Sequence, residues 1–356
     1  MTKQTAIVLT HDKLNTINAK TCHGLLRYSG RYDVKAVIDR KFEGRDAGEV
    51  MDGKTLGIPI YNSVESYYND GQPKVETLVI GVATHGGLLP DDFIPDIKNA
   101  ILKGCNVVNG LHDYLVDNPE INELARQNNV TLTDIRKPKS IRDLHFWHGR
   151  IYDVDAAVLA VLGVDCALGK RTTCGMIYEM CNRKGLRTEM IYTGQTGWMQ
   201  GYKHGFIFDS TLNDFISGEI EHAVVSCDKA EKPDLILLEG QSSLRNPSGP
   251  GGSEFLLSGN AKGVILQLAP EREFFEGYEE LKAYLPSARE EIDLIQSYGS
   301  DVLALTLYNQ SLEIDEISNH AKLLEDELQM PVVIPLKDGV DELYGVIHDY
   351  VNDREV

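Results

Sequence analysis

The sequence predicts an α/β protein with two domains, each built on a parallel sheet. Apolar runs of strand length alternate with segments of helical spacing along the whole chain. A chain of 356 residues is also longer than one hydrophobic core usually spans. We therefore expect an N-terminal Rossmann-like domain over residues 1–145 and a C-terminal P-loop NTPase-like domain over residues 146–356.

The N-terminal domain begins with a strand at 5–10, a helix at 18–28 and a second strand at 34–39. Strands at 76–81 and 105–112 follow, and each leads into a helix. This alternation is typical of a doubly wound sheet.

The carboxyl ends of parallel strands lie along one edge of the sheet, where ligands bind. His85 follows the strand 76–81, and Asn109 and His112 lie toward the end of the strand 105–112, so we expect them at the mouth of a site. The fingerprint GxGxxG is absent after the first strand, so we do not expect NAD there.

The C-terminal domain begins with a buried strand at 158–162 and a loop suited to binding phosphate. Gly163 and Gly169 let the loop bend, Lys170 adds a positive charge, and the helix that follows adds its N-terminal dipole. The pattern departs from GxxxxGK[ST]. Five residues separate the glycines and Arg171 follows the lysine, so a hydroxyl for magnesium must come from Thr172 or Thr173.

Two further strands complete this site. The strand at 188–193 leads into a loop rich in glycine and amides, in which Gln195 is a candidate cofactor ligand. The strand that ends at Glu239 places a carboxylate beside the phosphate loop, as a Walker B acid does. Gln241 follows it, and the flexible segment 246–253 is a candidate lid.

The rest of the chain continues the same alternation, with predicted strands at 261–268, 301–307 and 331–335 and helices at 313–329 and 343–351.

Composition restricts the class of partner. There are 35 basic and 54 acidic residues, giving a net charge of −19, which disfavours nucleic acid and anionic membranes. A small anionic substrate must therefore be captured by local positive groups, and Arg136 and Lys137 are the candidates. Six cysteines form no CxxC pair, the first residues do not show a signal-peptide pattern, and the sequence contains no apolar run of about 20 residues. We expect a cytoplasmic protein, compatible with self-association into a homo-oligomer.

The string Gly163-Val-Asp-Cys-Ala-Leu-Gly-Lys170 resembles the phosphate loop of dethiobiotin synthetase and its relatives. That resemblance implies that Asp165 helps to hold the metal, together with Thr172 and Glu239. It also implies an ATP- and magnesium-dependent ligase or kinase.

Over almost its full length the chain resembles the D-glutamate N-acetyltransferase (DgcN-like) family, which combines a Rossmann-like and a P-loop domain. The matching strings are Gly110-Leu-His112, Asp134-Ile-Arg-Lys-Pro138, the loop 163–173, Thr193-Gly-Gln-Thr-Gly197, Glu239-Gly-Gln241 and Arg272. Two positions depart from the family pattern: Ser242 stands where glycine is usual, and Asn246 stands where histidine is usual.

This second resemblance implies an acetyltransferase of D-amino acid metabolism whose phosphate loop holds acetyl-CoA. His112 or His85 would be the base, with Glu239 as a further catalytic candidate. Asn109, Arg136 and Lys137 would bind an acidic acceptor.

Three functions therefore remain open: this acetyltransferase, the ligase or kinase, and a nucleotide-binding regulatory protein. Only the first two require turnover. Only the ligase or kinase requires magnesium and releases ADP.

Overall fold

The chain divides into two compact units. The structure is a computed structural model that describes residues 2–309 and 312–353, except for the side chain of His85. The first unit comprises residues 1–138 and 195–202, and the second comprises residues 139–194 and 203–356. Each unit contains one parallel sheet, which confirms the predicted fold class.

In the first unit the strands are ordered β3-β2-β1-β4-β5-β6, and all neighbouring pairs are parallel. The strands are β1 (Gln4–Leu9), β2 (Tyr32–Ile38), β3 (Ile60–Tyr61), β4 (Thr77–Ile80), β5 (Asn106–Asn109) and β6 (Leu132–Asp134). The helices between them are α1 (Lys20–Arg27), α2 (Ala47–Asp52), α3 (Val64–Asn69), α4 (Ile94–Leu102) and α5 (Pro119–Gln127). This is the strand order of the Rossmann fold, with its topological switch point between β1 and β4.

The central strand β1 is buried on both faces, which explains its unbroken apolar sequence. Ile7 and Leu9 contribute to one hydrophobic cluster, while Ala6 and Val8 contribute to another. Successive side chains of a strand point to opposite faces, so every side chain of a strand covered by helices on both faces is buried, and apolar residues are favoured throughout.

The segment 195–202 differs from the sequence-based expectation. It was predicted as a loop of the second domain, whereas it contains helix α7 (Gln195–Gln200) and belongs to the first unit. Gln200 Nε2 donates to the carbonyl oxygens of Gly24 and Tyr28 at the end of α1, at 3.0 and 3.2 Å. The Tyr28 carbonyl lies at the helix end, where C=O groups lack intrahelical N–H donors, and the Gly24 carbonyl, which already accepts the N–H of Tyr28, gains a second donor. Tertiary packing thus overrides the weak helix propensity of a segment containing glycine.

In the second unit the strand order is β13-β12-β11-β7-β10-β8-β9, again parallel throughout the described residues. The strands are β7 (Ala157–Gly163), β8 (Thr188–Tyr192), β9 (His204–Gly205), β10 (Leu235–Glu239), β11 (Gly263–Leu268), β12 (Asp301–Leu307) and β13 (Val332–Val333). The helices are α6 (Lys170–Arg183), α8 (Asn213–Glu231), α9 (Ser253–Leu257), α10 (Ala288–Ser297), α11 (Ile314–Leu328), α12 (Pro335–Asp338) and α13 (Tyr344–Asn352).

Strand β7 lies between β10 and β11, so the loop that follows it emerges in the middle of the sheet's carboxyl edge. The register places Glu239 beside Val161 and Gln267 beside Gly163. The predicted position of Glu239 next to the phosphate-loop strand is therefore confirmed. None of the described helices is both long enough and apolar enough to cross a bilayer.

Candidate functional site

The phosphate loop connects β7 to α6 through residues whose backbone conformations suit a tight turn. Ala167 has φ +53° and Gly169 has φ +84°, so the backbone is left-handed at two nearby positions. At Gly163 a Cβ atom would lie 3.1 Å from the carbonyl oxygen of Gln267, closer than most side chains tolerate. Such a loop at a helix N-terminus directs N–H groups and the helix dipole toward a bound anion.

Lys170 is the first residue of α6 and is 7% exposed. Its Nζ donates to the carbonyl oxygens of Asp165 at 2.6 Å and Ser242 at 2.8 Å. Burial lowers the pKa of Lys170 to about 8, because an ammonium loses hydration in the interior. A phosphate in the loop would compensate for that loss with opposite charge.

Asp165 is fully buried, and both of its carboxylate oxygens are engaged by protein donors. Arg272 Nη1 and the Glu276 N–H each donate to Oδ2 at 2.9 Å. Asn246 Nδ2 at 3.1 Å and the N–H of Cys166 at 2.7 Å donate to Oδ1. In this arrangement Asp165 braces the loop. A metal ion at this carboxylate would have to displace some of these donors.

The two residues that depart from the family pattern, Ser242 and Asn246, both contact the phosphate loop. Ser242 has φ +51°, a backbone conformation that favours glycine, and its carbonyl oxygen accepts the bond from Lys170. Asn246 is 2% exposed and donates to Asp165. The segment predicted as a lid thus begins with a residue fixed against the loop.

The hydroxyl groups after Lys170 have different surroundings. Thr173 is buried, and its Oγ1 donates to Gln267 Oε1 at 2.7 Å. Thr172 is partly exposed, so it is the better placed of the two for a ligand or metal. Arg171 is also partly exposed, and its positive charge acts on Glu239.

Glu239 is 4% exposed at the end of β10 and accepts the N–H of Thr193 at 2.9 Å. Burial raises the pKa of this carboxyl, against the lowering effects of Arg171, the N–H groups of Thr193 and Gly194, and Lys170. Gln241 Nε2 donates to Thr193 Oγ1 at 3.0 Å and so belongs to the same network. A carboxyl with a raised pKa can take up and release a proton nearer to neutral pH. No group of three or more His, Cys, Asp or Glu side chains arranged to hold a metal ion occurs among the described residues.

The first unit contains a polar pocket of about 220 Å³. The residues that line it are Lys20, Ala83, Thr84, Gly86, Gly87, His112 and Arg136. Arg136 is 9% exposed and donates to the carbonyl oxygen of Gly110. Two of the predicted residues, His112 and Arg136, therefore lie together.

The other predicted residues of this unit have different positions. Lys137 is exposed and pairs with Asp117 at 3.3 Å, and it does not line the pocket. Asn109 is fully buried and donates to Asp134 Oδ1 and to the Asp113 carbonyl oxygen, both at 2.7 Å, so it holds the loop after β5. Gln195 is buried in the first unit, against Gly110. The side chain of His85 lies outside the described part of the structure.

His11 and Asp39 follow β1 and β2, at positions that border the dinucleotide in a Rossmann fold. His11 follows β1 with φ +25°, is fully buried, and its Nε2 lies 2.9 Å from Asp96 Oδ2. Asp39, at the ribose-binding position of a Rossmann fold, accepts bonds from Thr10 Oγ1 at 2.9 Å and from the N–H of Leu14 at 3.2 Å. His11 and Asp39 are therefore both engaged by other groups of the protein.

Family models match both parts of the chain. Residues 145–344 match a domain of unknown function described as the DUF1611_C P-loop domain, and residues 40–138 match the DUF1611_N Rossmann-like domain. The chain belongs to the DUF1611 family. A crystal structure of a DUF1611 family protein from Anabaena variabilis covers 99% of this chain and 100% of its own, with a TM-score of 0.87 and 26% identity.

Two curated relatives are named D-glutamate N-acetyltransferase, and each is 30% identical to this DUF1611 chain. The one from Pseudoalteromonas sp aligns over 275 residues, which is 75% of this chain and 80% of that protein. The one from Tritonibacter scottomollicae aligns over 282 residues, which is 76% and 81% respectively. These matches confirm the resemblance that the sequence motifs indicated.

Sequence reasoning missed Lys20 in this DUF1611 chain and recognised Arg272 only through the resemblance. Lys20 follows β1 after a turn without a motif, so nothing in the sequence distinguishes it from other lysines. Arg272 lies in a segment without strand or helix periodicity, far along the chain from the loop it contacts. The position of Arg272, four residues beyond the predicted strand 261–268, was the one local signal for it, whereas Lys20 lies inside the predicted helix 18–28 and carries no such signal.

Proposed function

We propose that this protein is an N-acetyltransferase that transfers an acetyl group from acetyl-CoA to the amino group of an acidic amino acid. The observation that carries the proposal is the match to two relatives named D-glutamate N-acetyltransferase. Their alignments are longer than either compact unit, so the likeness extends over both. The phosphate loop suits acetyl-CoA, and the pocket lined by Lys20, His112 and Arg136, here called the cationic pocket, suits the acidic amino acid.

In this proposal the phosphate loop binds the phosphates of acetyl-CoA. Lys170 supplies the positive charge, and the N-terminus of α6 supplies N–H donors. Acetyl-CoA is thus bound through its phosphates, and no phosphoryl group is transferred.

The chemistry requires an amine without its extra proton. The nitrogen of the acceptor attacks the thioester carbonyl, a C–N bond forms, the C–S bond breaks and the CoA thiolate leaves. The acceptor ammonium gives up two protons: one passes to solvent before the attack, and the second passes from the attacking nitrogen to a base, which then protonates the thiolate. His112, in the cationic pocket, is the proposed base. Glu239 is the second candidate, because burial raises the pKa of its carboxyl.

The proposal is tested by incubating the purified protein with acetyl-CoA and D-glutamate, with L-glutamate and D-glutamine as comparison acceptors. We expect one thiol released for each N-acetylated product, measured by thiol titration and mass spectrometry. The reaction should proceed in EDTA without ATP. Thiol release without an acetylated amino acid, or no turnover with any acidic amino acid, would contradict the proposal.

Binding of acetyl-CoA should weaken as the pH rises above about 8, because burial lowers the pKa of Lys170 to about 8. The free site loses its positive charge there, whereas bound phosphate favours the charged form and raises the lysine pKa again. Binding is therefore accompanied by proton uptake, and affinity should fall by up to about tenfold per pH unit. Calorimetry between about pH 7 and pH 9.5 measures this dependence. A constant affinity over that range would exclude Lys170 as the phosphate-binding charge.

The same pKa shift affects stability in a defined direction. An unfolded lysine has a pKa of about 10.4, above the folded value, so the unfolded chain binds more protons between these two values. Lys170 therefore makes the ligand-free protein more stable as the pH rises through this window.

A second candidate is an ATP- and magnesium-dependent ligase or kinase. The position of Glu239 at the end of the strand next to β7 favours it, because a Walker B acid occupies that place. Since Asp165 is engaged by Arg272, Glu239 and Thr172 would hold the magnesium ion, which would neutralise charge on the transferred phosphoryl group. ADP release that requires both magnesium and an acceptor would support this candidate. Binding of ATP or acetyl-CoA without any product would instead support a regulatory protein.

A further inference from the structure

The pocket of the first unit lies where doubly wound sheets bind ligands. Lys20 begins α1, the helix after β1, and Ala83, Thr84, Gly86 and Gly87 follow β4. The strand order reverses between β1 and β4, and this switch point opens a crevice beyond the carboxyl ends of the strands. The pocket therefore occupies the place that the dinucleotide takes in a Rossmann fold, while His11 and Asp39 are engaged elsewhere.

We propose that this pocket binds the carboxylates of the acidic acceptor, and that Lys20 makes the pocket selective for a dicarboxylate. This inference rests on the proposed function, because it assigns the acceptor's place in that reaction. Lys20, His112 and Arg136 line the pocket, and none of its described lining residues is acidic. In a chain with a net charge of −19, three basic side chains around one cavity are a local exception.

The wall of the pocket is built to hold its basic groups in place. Arg136 is buried and donates to the carbonyl oxygen of Gly110, which fixes the guanidinium at the wall. The N–H of His112 donates to the Gly87 carbonyl oxygen at 2.8 Å. A Cβ on Gly87 would lie 2.3 Å from His112 Cδ2, and Gly87 has φ +69°, so glycine both permits the turn and leaves room for the imidazole.

The volume of the pocket restricts the size of the ligand. Drug-sized ligands occupy pockets of about 300–1,000 Å³. The cavity of about 220 Å³ is smaller, so it can enclose an amino acid but not a complete CoA or dinucleotide. Arg136 can pair with one carboxylate through its planar fork, and Lys20 offers a point charge to a second. A monocarboxylate such as glutamine would use only one of the two.

Calorimetric binding of D-glutamate and D-glutamine to the full chain, with CoA present as a donor analogue that cannot transfer acetyl, tests this assignment. We expect D-glutamate to bind at least about tenfold more tightly than D-glutamine, from the strength of one charge-assisted contact. Lys20→Met should abolish most of this preference. Lys20 is exposed, so the variant should fold. Lys54→Met, an exposed lysine of the same unit outside the pocket, is the matched control and should retain the preference.

The result can separate this inference from the proposed function. If Lys20→Met loses D-glutamate binding but the wild type makes no acetylated product, the pocket is correct and the acetyl transfer is wrong. If the wild type acetylates D-glutamate and Lys20→Met leaves the KM for glutamate unchanged, the pocket assignment is wrong. Equal binding of glutamate and glutamine by the wild type would also overturn it. In Lys20→Met the KM for acetyl-CoA should stay unchanged.

Discussion

Lys170→Ala should reduce acetyl-CoA affinity by at least about a hundredfold and leave the protein folded. Lys170 carries the only positive charge between Gly163 and Lys170, and the negative Asp165 in that segment is paired with Arg272. A charge-assisted contact to phosphate in a buried site contributes about 1.5–3 kcal/mol, and the loop amides lose their alignment when the side chain that bridges Asp165 and Ser242 is removed. Calorimetry with acetyl-CoA measures the loss.

The fold should survive this substitution because folding already disfavours the charged lysine, as the lowered pKa shows. Lys184→Ala is the control, because Lys184 lies at the opposite end of α6 and contacts Asp341. It should bind acetyl-CoA like the wild type. If Lys170→Ala retained wild-type affinity with a cooperative unfolding transition, the phosphate site would have to lie elsewhere.

Arg272→Met should destabilise the second unit by about 3–5 kcal/mol, because it leaves the buried carboxylate of Asp165 without its ion partner. Arg272 also donates to the Cys166 carbonyl oxygen at 2.9 Å, so the loop loses a second contact. Urea unfolding monitored by circular dichroism measures the change. The double variant Asp165→Asn, Arg272→Met should lose less stability than the sum of the two single variants, because the charge that needs a partner is then absent.

The exposed pair Arg183–Asp341, at 2.7 Å, provides the matched control. Both of its side chains are more than half exposed, so Arg183→Met should change the free energy of unfolding little. Strict additivity of Asp165→Asn and Arg272→Met, or an Arg272→Met effect no larger than that of Arg183→Met, would show that Asp165 does not depend on Arg272.

Local sequence was sufficient to predict the strands and helices whose residues are uniformly buried. The apolar run at 158–162 predicted β7, and the glycines and Lys170 predicted the loop and the start of α6, because each signal lies within a dozen consecutive residues. The strand ending at Glu239 was recognised for the same reason. The two-residue strand β13 lies within the predicted strand 331–335, whereas β3, also of two residues, was missed, and it is a strand only because β2 pairs with it.

Within the candidate site, sequence identified residue types but not their partners. It indicated that Asp165 belongs to the loop, yet Arg272 and Asn246, which lie 107 and 81 residues away, decide that its carboxylate is engaged by protein donors. Likewise, His112 was recognised as a polar residue at a strand end and Arg136 as a local positive charge, but the strand order was needed to bring Lys20 into the same pocket.

The sequence by itself determined two parallel α/β domains and a phosphate loop with Lys170, since local patterns encode strands, helices and the turns between them. Only the tertiary structure decided that residues 195–202 join the first unit as a helix, through the bonds from Gln200 to the end of α1. Only it decided which basic side chains share a pocket. Both outcomes depend on contacts between segments far apart in the chain, and the free energy of such contacts can outweigh local preference without leaving a periodic trace in the sequence.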